Sequence, residues 1–270
     1  MTYSVLEASA YSGNAVELYE FQHGVEFWRY TSADEDHVHS GKTFERAAIT
    51  RTPVDESFDL NRDYIEVTVP RDNLVADLFR LYPPDSVVTL KIWRKHRDDL
   101  EAQPIWIGRV LNGEWRGGEA VLRSESVNTS IRRNALRRMY QRSCPLTVYG
   151  AACRLNAEMF KVLGVVASVA GGQIQIASAG GYASGYFAGG YLTWQTLSGN
   201  TDTRMIVEHS GSAVTVLFPP QTLAVGAAVS LYPGCDHTLS TCKNTFQNAL
   251  NYGGYPYIPL KNPFGLTTLY

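Results

Sequence analysis

Alternation of hydrophobic and polar side chains runs through the first half of the chain and predicts β-strands. In residues 64–69, Ile65, Val67 and Val69 alternate with polar residues. Hydrophobic residues at every second position place one face of a strand in a core and leave the other face exposed to solvent. Residues 86–93 repeat the pattern. The N-terminal part is therefore predicted to be built from half-buried strands.

Breaks between the predicted strands indicate hairpins. Residues 16–30 place aromatic and β-branched side chains on both sides of a Gln-His-Gly break. Asn112-Gly113 separates the strands predicted at 105–111 and 120–126, and an Asn-Gly pair is a strong hairpin signal. These connections predict antiparallel neighbours.

A single short helix is predicted within this β-rich region. It covers residues 73–81, with Asp72 as its cap and two prolines after it. Because a barrel or sandwich hides strand edges, residues 1–128 are predicted to form an antiparallel β-barrel-like domain. The fold class predicted for the whole chain is mainly β, of the α+β type.

The pattern becomes helical on both sides of a second β-rich region. A helix is predicted at residues 130–142, and shorter ones at 152–160 and 244–251. Residues 129–160 and 235–270 are therefore predicted to be the two parts of one small helical domain.

The segment between these two parts, residues 161–234, differs from its surroundings in composition. Glycine pairs interrupt its short apolar stretches, and it contains few charged residues. It is predicted to be a small glycine-rich β subdomain inserted into the helical domain. Its charged residues are Lys161, Asp202, Arg204 and Glu208.

Two local patterns stand out inside the insertion. Residues 205–209 and 213–218 predict a hairpin around Ser210-Gly211-Ser212. Aromatic residues alternate with glycines at residues 182–191. This run is either a contact surface, where tyrosine is favoured, or twisted strands whose aromatics cover a thin core.

Composition narrows the classes of function. The 270-residue chain has a net charge of −2, whereas general nucleic-acid-binding proteins are normally basic. No stretch approaches the ~20 apolar residues of a membrane span, and the first residues do not have the pattern of a signal peptide. The chain is expected to bind no specific nucleic-acid sequence, to insert stably into no membrane, and to fold in a cytoplasm, where thiols stay reduced.

Four cysteines are the main candidates for special chemistry. Cys144 and Cys153 are separated by eight residues, and Cys235 and Cys242 by six. Two disulfides would be sparse in a chain that can bury a core without them. Zinc sites usually space paired ligands by two to four residues, while iron–sulfur clusters use four thiolates. Four unrelated buried cysteines are a further alternative.

The segment around the first cysteine pair is rich in arginine and free of acids. No Asp or Glu occurs between Glu125 and Glu158. Arginines can offset the negative charge of a thiolate-bound cluster and hydrogen-bond its sulfurs, or they can form the solvated face of a helix. The arginines of this interval are Arg132, Arg133, Arg137, Arg138, Arg142 and Arg154.

The order of these motifs resembles a known family. A Cys-eight-Cys pair, a β-rich interval, a Cys-six-Cys pair, an Asn-rich helix and Tyr-Gly-Gly-Tyr-Pro-Tyr-Ile-Pro follow one another. This order is similar to the baseplate hub and tail tip proteins of siphophages and gene transfer agents. The resemblance is specific from about Ser130 to Pro259 and weaker before it. It implies a tail-tube-like hub domain at residues 1–128 and a [4Fe-4S] cluster.

The resemblance assigns the ligands of that cluster to the four cysteines. His237 lies inside the second pair and is the one candidate for a substitute ligand. It is predicted instead to donate a hydrogen bond to the ligands or to face solvent. Arg142 and Arg154 are predicted to support the ligands through their charge. Zinc is the alternative metal. The implied ligands are Cys144, Cys153, Cys235 and Cys242.

The resemblance also implies a structural function. The expected protein belongs to the virion, closes the distal end of the tail tube and acts in tail assembly and DNA delivery. It is expected to be a homotrimer, assembled in the host cytoplasm. Its expected partners are a distal tail protein, a central tip or fibre hub protein and other tail tip proteins.

The sequence motifs give no support for catalysis. The chain has no Gly-x-Ser-x-Gly elbow, no phosphate-binding loop, no His-Glu-x-x-His and no dinucleotide fingerprint. The protein is therefore expected not to be an enzyme. The alternatives to a cluster-binding hub are a zinc-stapled structural tail protein and an iron–sulfur electron-transfer protein.

Overall fold

Strands make up most of the regular structure, which confirms the predicted mainly β fold class. The chain divides into two units, Met1–Arg133 and Asn134–Tyr270. The finer division into three domains stays a prediction. The structure, a computed structural model, describes residues 7–9, 15–54, 64–96, 101–132, 139–197 and 199–259.

The described residues of the first unit include strands, a short α-helix and a 3₁₀ segment. The helix is α1 (Leu74–Asp77), and the 3₁₀ segment is Val127–Arg132. The strands described in this unit are β1 (Ala15–His23), β2 (Glu26–Thr31), β3 (His37–His39), β4 (Lys42–Arg46), β5 (Thr50–Arg51), β6 (Tyr64–Pro70), β7 (Val88–His96), β8 (Ala102–Arg116) and β9 (Glu119–Ser126).

These strands form one large mixed sheet in the part of the chain that the structure describes. Their order is β3-β4-β2-β1-β7-β8-β9-β6-β5. The pair β2–β4 is parallel, and the other neighbours are antiparallel. The sheet is thus mixed rather than purely antiparallel, and within the described residues it ends at β3 and β5.

One face of this sheet covers a hydrophobic core, as the alternation predicted. Ile65, Val67 and Val69 are almost completely buried, and they pack in the same cluster as Val75 and Ala76 of α1. Burying an apolar side chain of this size contributes about 1.5–3 kcal/mol relative to leaving it exposed. The pattern of burial alone therefore fixes which face of the sheet is inside.

Two local predictions in this unit are wrong in detail. Asn112-Gly113 lies within β8, where the register against β9 shifts between Val110 and Asn112. A β-bulge absorbs the extra residue there, and the chain turns at Gly117, whose φ is +60°. The cap of α1 is Asn73 rather than Asp72, since the Asn73 side chain accepts a hydrogen bond from the Val75 N–H at 3.0 Å.

The second unit contains a closed barrel and the cysteine segments. Its α-helix is α2 (Leu239–Asn244). Its 3₁₀ segments are Ala157–Phe160, Ala177–Gly181 and Ala249–Asn251. The strands described in this unit are β10 (Val162–Ala170), β11 (Gln173–Ile176), β12 (Tyr191–Gln195), β13 (Thr201–Ser210), β14 (Ala213–Val216) and β15 (Ala228–Tyr232).

All six described strands of this unit close into one antiparallel barrel. The order is β10-β11-β14-β13-β12-β15, and β15 pairs with β10 to complete the ring. The hairpin predicted around Ser210-Gly211-Ser212 is confirmed as the β13–β14 connection, with Gly211 at a φ of +57°. Closure leaves no free strand edge, which suits a segment that has few charges to protect an edge.

The aromatic run among the glycines covers the barrel core. Phe187 is fully buried in that core, and Tyr186 packs against it. Tyr182 stacks on Tyr186 with ring centroids 4.8 Å apart. The run therefore covers the barrel interior, as the second alternative predicted, but residues 182–190 do so as turns rather than as twisted strands.

The helices predicted near the cysteines are mostly wrong. Of the segment 130–142, residues 130–132 belong to the 3₁₀ segment Val127–Arg132. Residues 133–138 lie outside the described residues, and residues 139–142 are not helical. The reason is tertiary: the Gln141 carbonyl accepts the Tyr255 N–H at 2.8 Å, and the Cys144 N–H donates to the His237 carbonyl at 2.9 Å. These backbone groups therefore bond to distant residues instead of closing helical turns.

The other two helix predictions are also corrected. Within 152–160 only the 3₁₀ segment Ala157–Phe160 is helical. Of the helix predicted at 244–251, Asn244 is the last residue of α2, and Ala249–Asn251 form a 3₁₀ segment. The start of α2 is set by Thr238, whose side chain accepts the Thr241 N–H at 3.2 Å. Among the described residues, no helix has the length and apolar character needed to cross a membrane.

Candidate metal centre

The structure brings the two cysteine pairs to one place in the second unit. Cys144 and Cys153 lie on the turns that precede β10, Cys235 follows β15, and Cys242 lies on α2. All four are free thiols rather than disulfides. The pairs meet through hydrogen bonds, since the Cys144 N–H donates to the His237 carbonyl, and Asn248 Nδ2 donates to the Cys153 carbonyl at 2.8 Å.

One amide N–H group is directed at each of three of the four sulfurs. The Gly253 N–H lies 3.4 Å from Cys144 Sγ, and the His237 N–H lies 3.4 Å from Cys235 Sγ. Asn248 Nδ2 lies 3.7 Å from Cys153 Sγ. Hydrogen bonds of this kind stabilise negative charge on sulfur and tune iron–sulfur clusters. The fourth sulfur, Cys242 Sγ, donates to the Asn248 carbonyl at 3.3 Å.

The thiols also influence each other through their charges. Burial is the main cause that raises the pKa of the Cys242 thiol, and charge on Cys235, Cys144 and Cys153 raises it further. Burial likewise raises the pKa of Cys235, with smaller contributions from Asp236 and the neighbouring cysteines. Both raised pKa values favour the neutral thiol of Cys235 and of Cys242. A bound metal would reverse this balance.

Tyr149 connects the first cysteine pair to the end of the barrel. Its hydroxyl donates to the Pro233 carbonyl at 2.9 Å, and its φ of +60° is unusual for a tyrosine. Burial is the largest cause that raises its pKa, with charge on neighbouring tyrosines and on Cys235 and Cys153 adding to it. Its ring packs edge-on or tilted against Phe160, Tyr191, Tyr232 and Phe246.

Two glycines allow the barrel end to approach Cys235 closely. A β-carbon placed on Gly234 would overlap the Ala188 carbonyl, and one placed on Gly190 would overlap the Tyr232 carbonyl. Only glycine fits at such backbone contacts. The loop that precedes β12 and the chain after β15 thus form a wall beside Cys235.

The supporting roles of His237, Arg142 and Arg154 stay predictions, and each residue has defined contacts near the cysteines. His237 acts through its main chain: its N–H faces Cys235 Sγ, and its carbonyl accepts from Cys144 and from the Tyr252 hydroxyl at 3.2 Å. The Arg142 side chain donates to the Pro256 carbonyl at 3.3 Å. Within the described residues, neither Arg142 nor Arg154 forms a hydrogen bond to a cysteine sulfur. The side chains of Arg132, Arg133, Arg137 and Arg138 lie outside the described part of the site.

Three residues of the site were missed by sequence reasoning. They are Asn248, Tyr252 and Gly253, which contact the cysteines or their neighbours through hydrogen bonds. The Asn-rich run followed by Tyr-Gly-Gly was the only sequence signal for them. Burial, with charge on Cys144 and other cysteines, raises the pKa of Tyr252. Its hydroxyl donates to the Arg142 carbonyl at 2.8 Å and to the His237 carbonyl at 3.2 Å.

The donor set fits an iron–sulfur cluster by its chemistry. Four thiols with amide donors at three sulfurs are the ligands that such clusters use. A single zinc ion needs every ligand sulfur at about 2.3 Å from one point. In the described residues, no group of three or more Cys, His, Asp or Glu side chains is arranged to hold a metal ion. The choice between a cluster and zinc therefore rests on the donor set alone.

Comparison with family models gives two matches. Residues 18–156, just over half of the chain, match the model described as "Baseplate hub protein, N-terminal attachment domain". Residues 185–262 match the model described as "Phage conserved hypothetical protein BR0599". The second match covers the barrel strands from β12 onward together with Cys235 and Cys242.

Individual proteins are similar at lower identity. An uncharacterized protein of Xylella fastidiosa (strain 9a5c) is 26% identical over 183 residues, which is 62% of this chain and 38% of that protein. The chain therefore matches well under half the length of this relative. A chain in the solved virion of a native gene transfer agent particle has the same fold, with a TM-score of 0.79 and 18% identity over 96% of this chain and 92% of that chain.

Proposed function

The chain belongs to the family of baseplate hub proteins with an N-terminal attachment domain, and from this premise we infer that it is a structural protein of a phage-type tail. In the virion, the protein would lie at the distal end of the tail, where a hub closes the tail tube. The fold shared with a chain of a gene transfer agent virion supports the same position.

The cysteine site would hold a [4Fe-4S] cluster. The observation that supports this proposal is the meeting of four free thiols from two chain segments, with N–H groups directed at three of their sulfurs. When bound, the cluster would supply a covalent cross-link between the two segments. Because it would close a long loop, it would stabilise the fold mainly by restricting the unfolded chain. The ligands would be Cys144, Cys153, Cys235 and Cys242.

A place at the distal end of the tail also suggests how the hub would assemble and which proteins it would contact. Identical chains surround a tube through closed rotational symmetry, so the hub would be a homotrimer assembled in the host cytoplasm. Its N-terminal unit would contact the neighbouring copies and a distal tail protein. A central tip or fibre hub protein would complete the tail tip through which DNA leaves.

Spectroscopy of the anaerobically purified protein tests the cluster. A broad absorbance shoulder near ~400 nm, with iron and sulfide in equal amounts, is the expected result. Zinc bound without colour would favour the zinc-stapled alternative. Absence of every metal from soluble, folded protein would overturn the site assignment while leaving the family membership intact.

Electron microscopy of assembled particles tests the position in the tail. We expect several copies of the chain around the tail axis at the distal end. A single copy off the axis, or no copy at the tail tip, would contradict the hub proposal. If such a protein still carried a cluster, the electron-transfer alternative would become the better account.

A further inference from the structure

We propose that Asn248 is the positioning residue that holds the two cysteine pairs together, an assignment that rests on the proposed cluster site. Asn248 is a buried polar residue, only 9% exposed. It is not a ligand itself, since its contacts to the cysteines are hydrogen bonds. It contacts one cysteine of each pair.

The side chain of Asn248 binds the first pair. Its Nδ2 donates to the Cys153 carbonyl at 2.8 Å and lies 3.7 Å from Cys153 Sγ. The two residues are 95 positions apart in the chain. A single amide group thus fixes both the backbone of Cys153 and the surroundings of its sulfur.

The backbone of Asn248 binds the second pair. Its N–H donates to the Cys242 carbonyl at 2.9 Å, a bond that does not depend on the protonation of the thiol. Its own carbonyl accepts from the protonated Cys242 Sγ at 3.3 Å, a bond that a metal-bound thiolate would not make. The preceding residue, Gln247, has a φ of +51°, which is uncommon for a residue other than glycine. This turn reverses the chain after α2 and returns Asn248 to Cys242.

A third contact fixes which end of the Asn248 amide faces the cysteines. Asn251 Nδ2 donates to Asn248 Oδ1 at 2.6 Å. Because that bond occupies the oxygen, the NH₂ group of Asn248 is directed at Cys153. The orientation suits a negatively charged sulfur, since a hydrogen bond to an ionised acceptor is roughly twice as strong as one to a neutral acceptor.

The test compares metal retention in full-length variants. Asn248→Asp has nearly the same shape, but it replaces the donor with an anion beside Cys153 Sγ. We expect the variant to lose its iron to excess chelator roughly 10-fold faster than the wild type, because partners that support metal ligands typically contribute 10–100-fold to affinity. Absorbance near ~400 nm follows the loss.

A second measurement separates positioning from general stability. If Asn248 acts on the cluster, the reduction potential of Asn248→Asp should shift to a more negative value, since hydrogen bonds to cluster sulfurs raise the potential. The thermal midpoint of the metal-free protein reports the structural contribution alone. The matched control is Asn244→Ala, because Asn244 is exposed and its side chain donates to Ser240 Oγ rather than to a cysteine.

Asn251→Ala keeps the proposal testable if Asn248→Asp does not fold. It leaves the Asn248 amide in place but removes the contact that orients it, so iron loss should be faster than in Asn244→Ala. An iron-loss rate and a potential equal to those of the wild type in both variants at the site would overturn the role of Asn248. Wild-type protein that contains no iron would instead overturn the proposed cluster site itself.

Discussion

The two units are both β structures, yet they are stabilised by different interactions. In the first unit, charged side chains lie among the strands: the carboxylate of Glu20, almost fully buried, accepts hydrogen bonds from Arg29 at 2.7 Å and Lys42 at 2.9 Å. The barrel segment of the second unit has four charged residues in 74 positions, and it uses closure and close glycine contacts instead. Two β structures are thus stabilised in different ways, one partly by buried ion pairs and the other by barrel closure and close backbone contacts.

This contrast gives the two units opposite responses to pH. Burial raises the pKa of Glu20, but the hydrogen bonds and charges of Lys42 and Arg29 outweigh it, and the net pKa is lowered. Its stabilising contribution is therefore present above the unfolded carboxyl pKa and lost as pH falls. The pKa values of Cys235 and Cys242 are raised, so their contribution is present below the unfolded thiol pKa and lost as pH rises.

The largest expected effect comes from removing a ligand. Cys242→Ser should abolish nearly all iron binding and destabilise the second unit, because one missing ligand opens the loop that the metal closes. Iron analysis and hydrogen exchange resolved by unit would measure the two effects. Ser240→Ala, on the same helix, is the control. Unchanged iron content in Ser variants of all four cysteines would disprove a shared metal.

A smaller but still large effect is expected where the barrel end meets Cys235. Gly234→Ala places a methyl group against the Ala188 carbonyl and should destabilise the second unit by about 3 kcal/mol through overpacking. Urea unfolding would measure it. Gly181→Ala is the control, since a β-carbon there meets nothing within 4 Å. If the two variants were equally stable, the wall beside Cys235 would be looser than described.

In the metal-free protein, the loss of stability of the first unit at low pH can be measured apart from that of the second unit at high pH. Glu20→Gln should cost about 1.5–3 kcal/mol at neutral pH, the usual loss for a hydrogen bond to a charged group. It should also make the first unit less sensitive to acid than in the wild type. Glu114→Gln is the control, because Glu114 pairs with Arg116 at an exposed site.

Alkaline unfolding supplies the other half of that experiment. Above the unfolded thiol pKa of about 8.5, the second unit should lose stability before the first, and bound metal should remove the effect because a coordinated thiolate needs no proton. Hydrogen exchange at several pH values would follow each unit. If both units lost their folded structure together at acid and at alkaline pH, they would unfold as one. The two units would then not differ in their response to pH.

The smallest expected effect is local to α2. Thr238→Ala removes the cap that accepts the Thr241 N–H and should destabilise the second unit by about 1 kcal/mol. Thr203→Ala, at an exposed position of β13, should change stability by less. Thermal melts of both variants would measure the difference, and equal midpoints would mean that α2 is held by its packing rather than by its cap.

The sequence alone determined the features that depend on neighbouring residues. Alternation at Ile65, Val67 and Val69 predicted their burial, and Ser210-Gly211-Ser212 predicted a hairpin, because side-chain direction and turn geometry follow from the local backbone. The paired cysteines predicted where special chemistry would lie, and hydrogen bonds do connect the two cysteine segments. The metal at that site stays a prediction.

Tertiary structure decided the features that depend on distant residues. A local turn signal at Asn112-Gly113 became a bulge because the pairing of β8 with β9 continues past it. The helix predicted through residues 139–142 gave way to hydrogen bonds with residues of the C-terminal segment. Closure of the barrel, and the contact of Asn248 with Cys153 across 95 positions, are set by packing between segments. Their energies cannot be deduced from either segment by itself, since each contact forms only once the chain between them has folded.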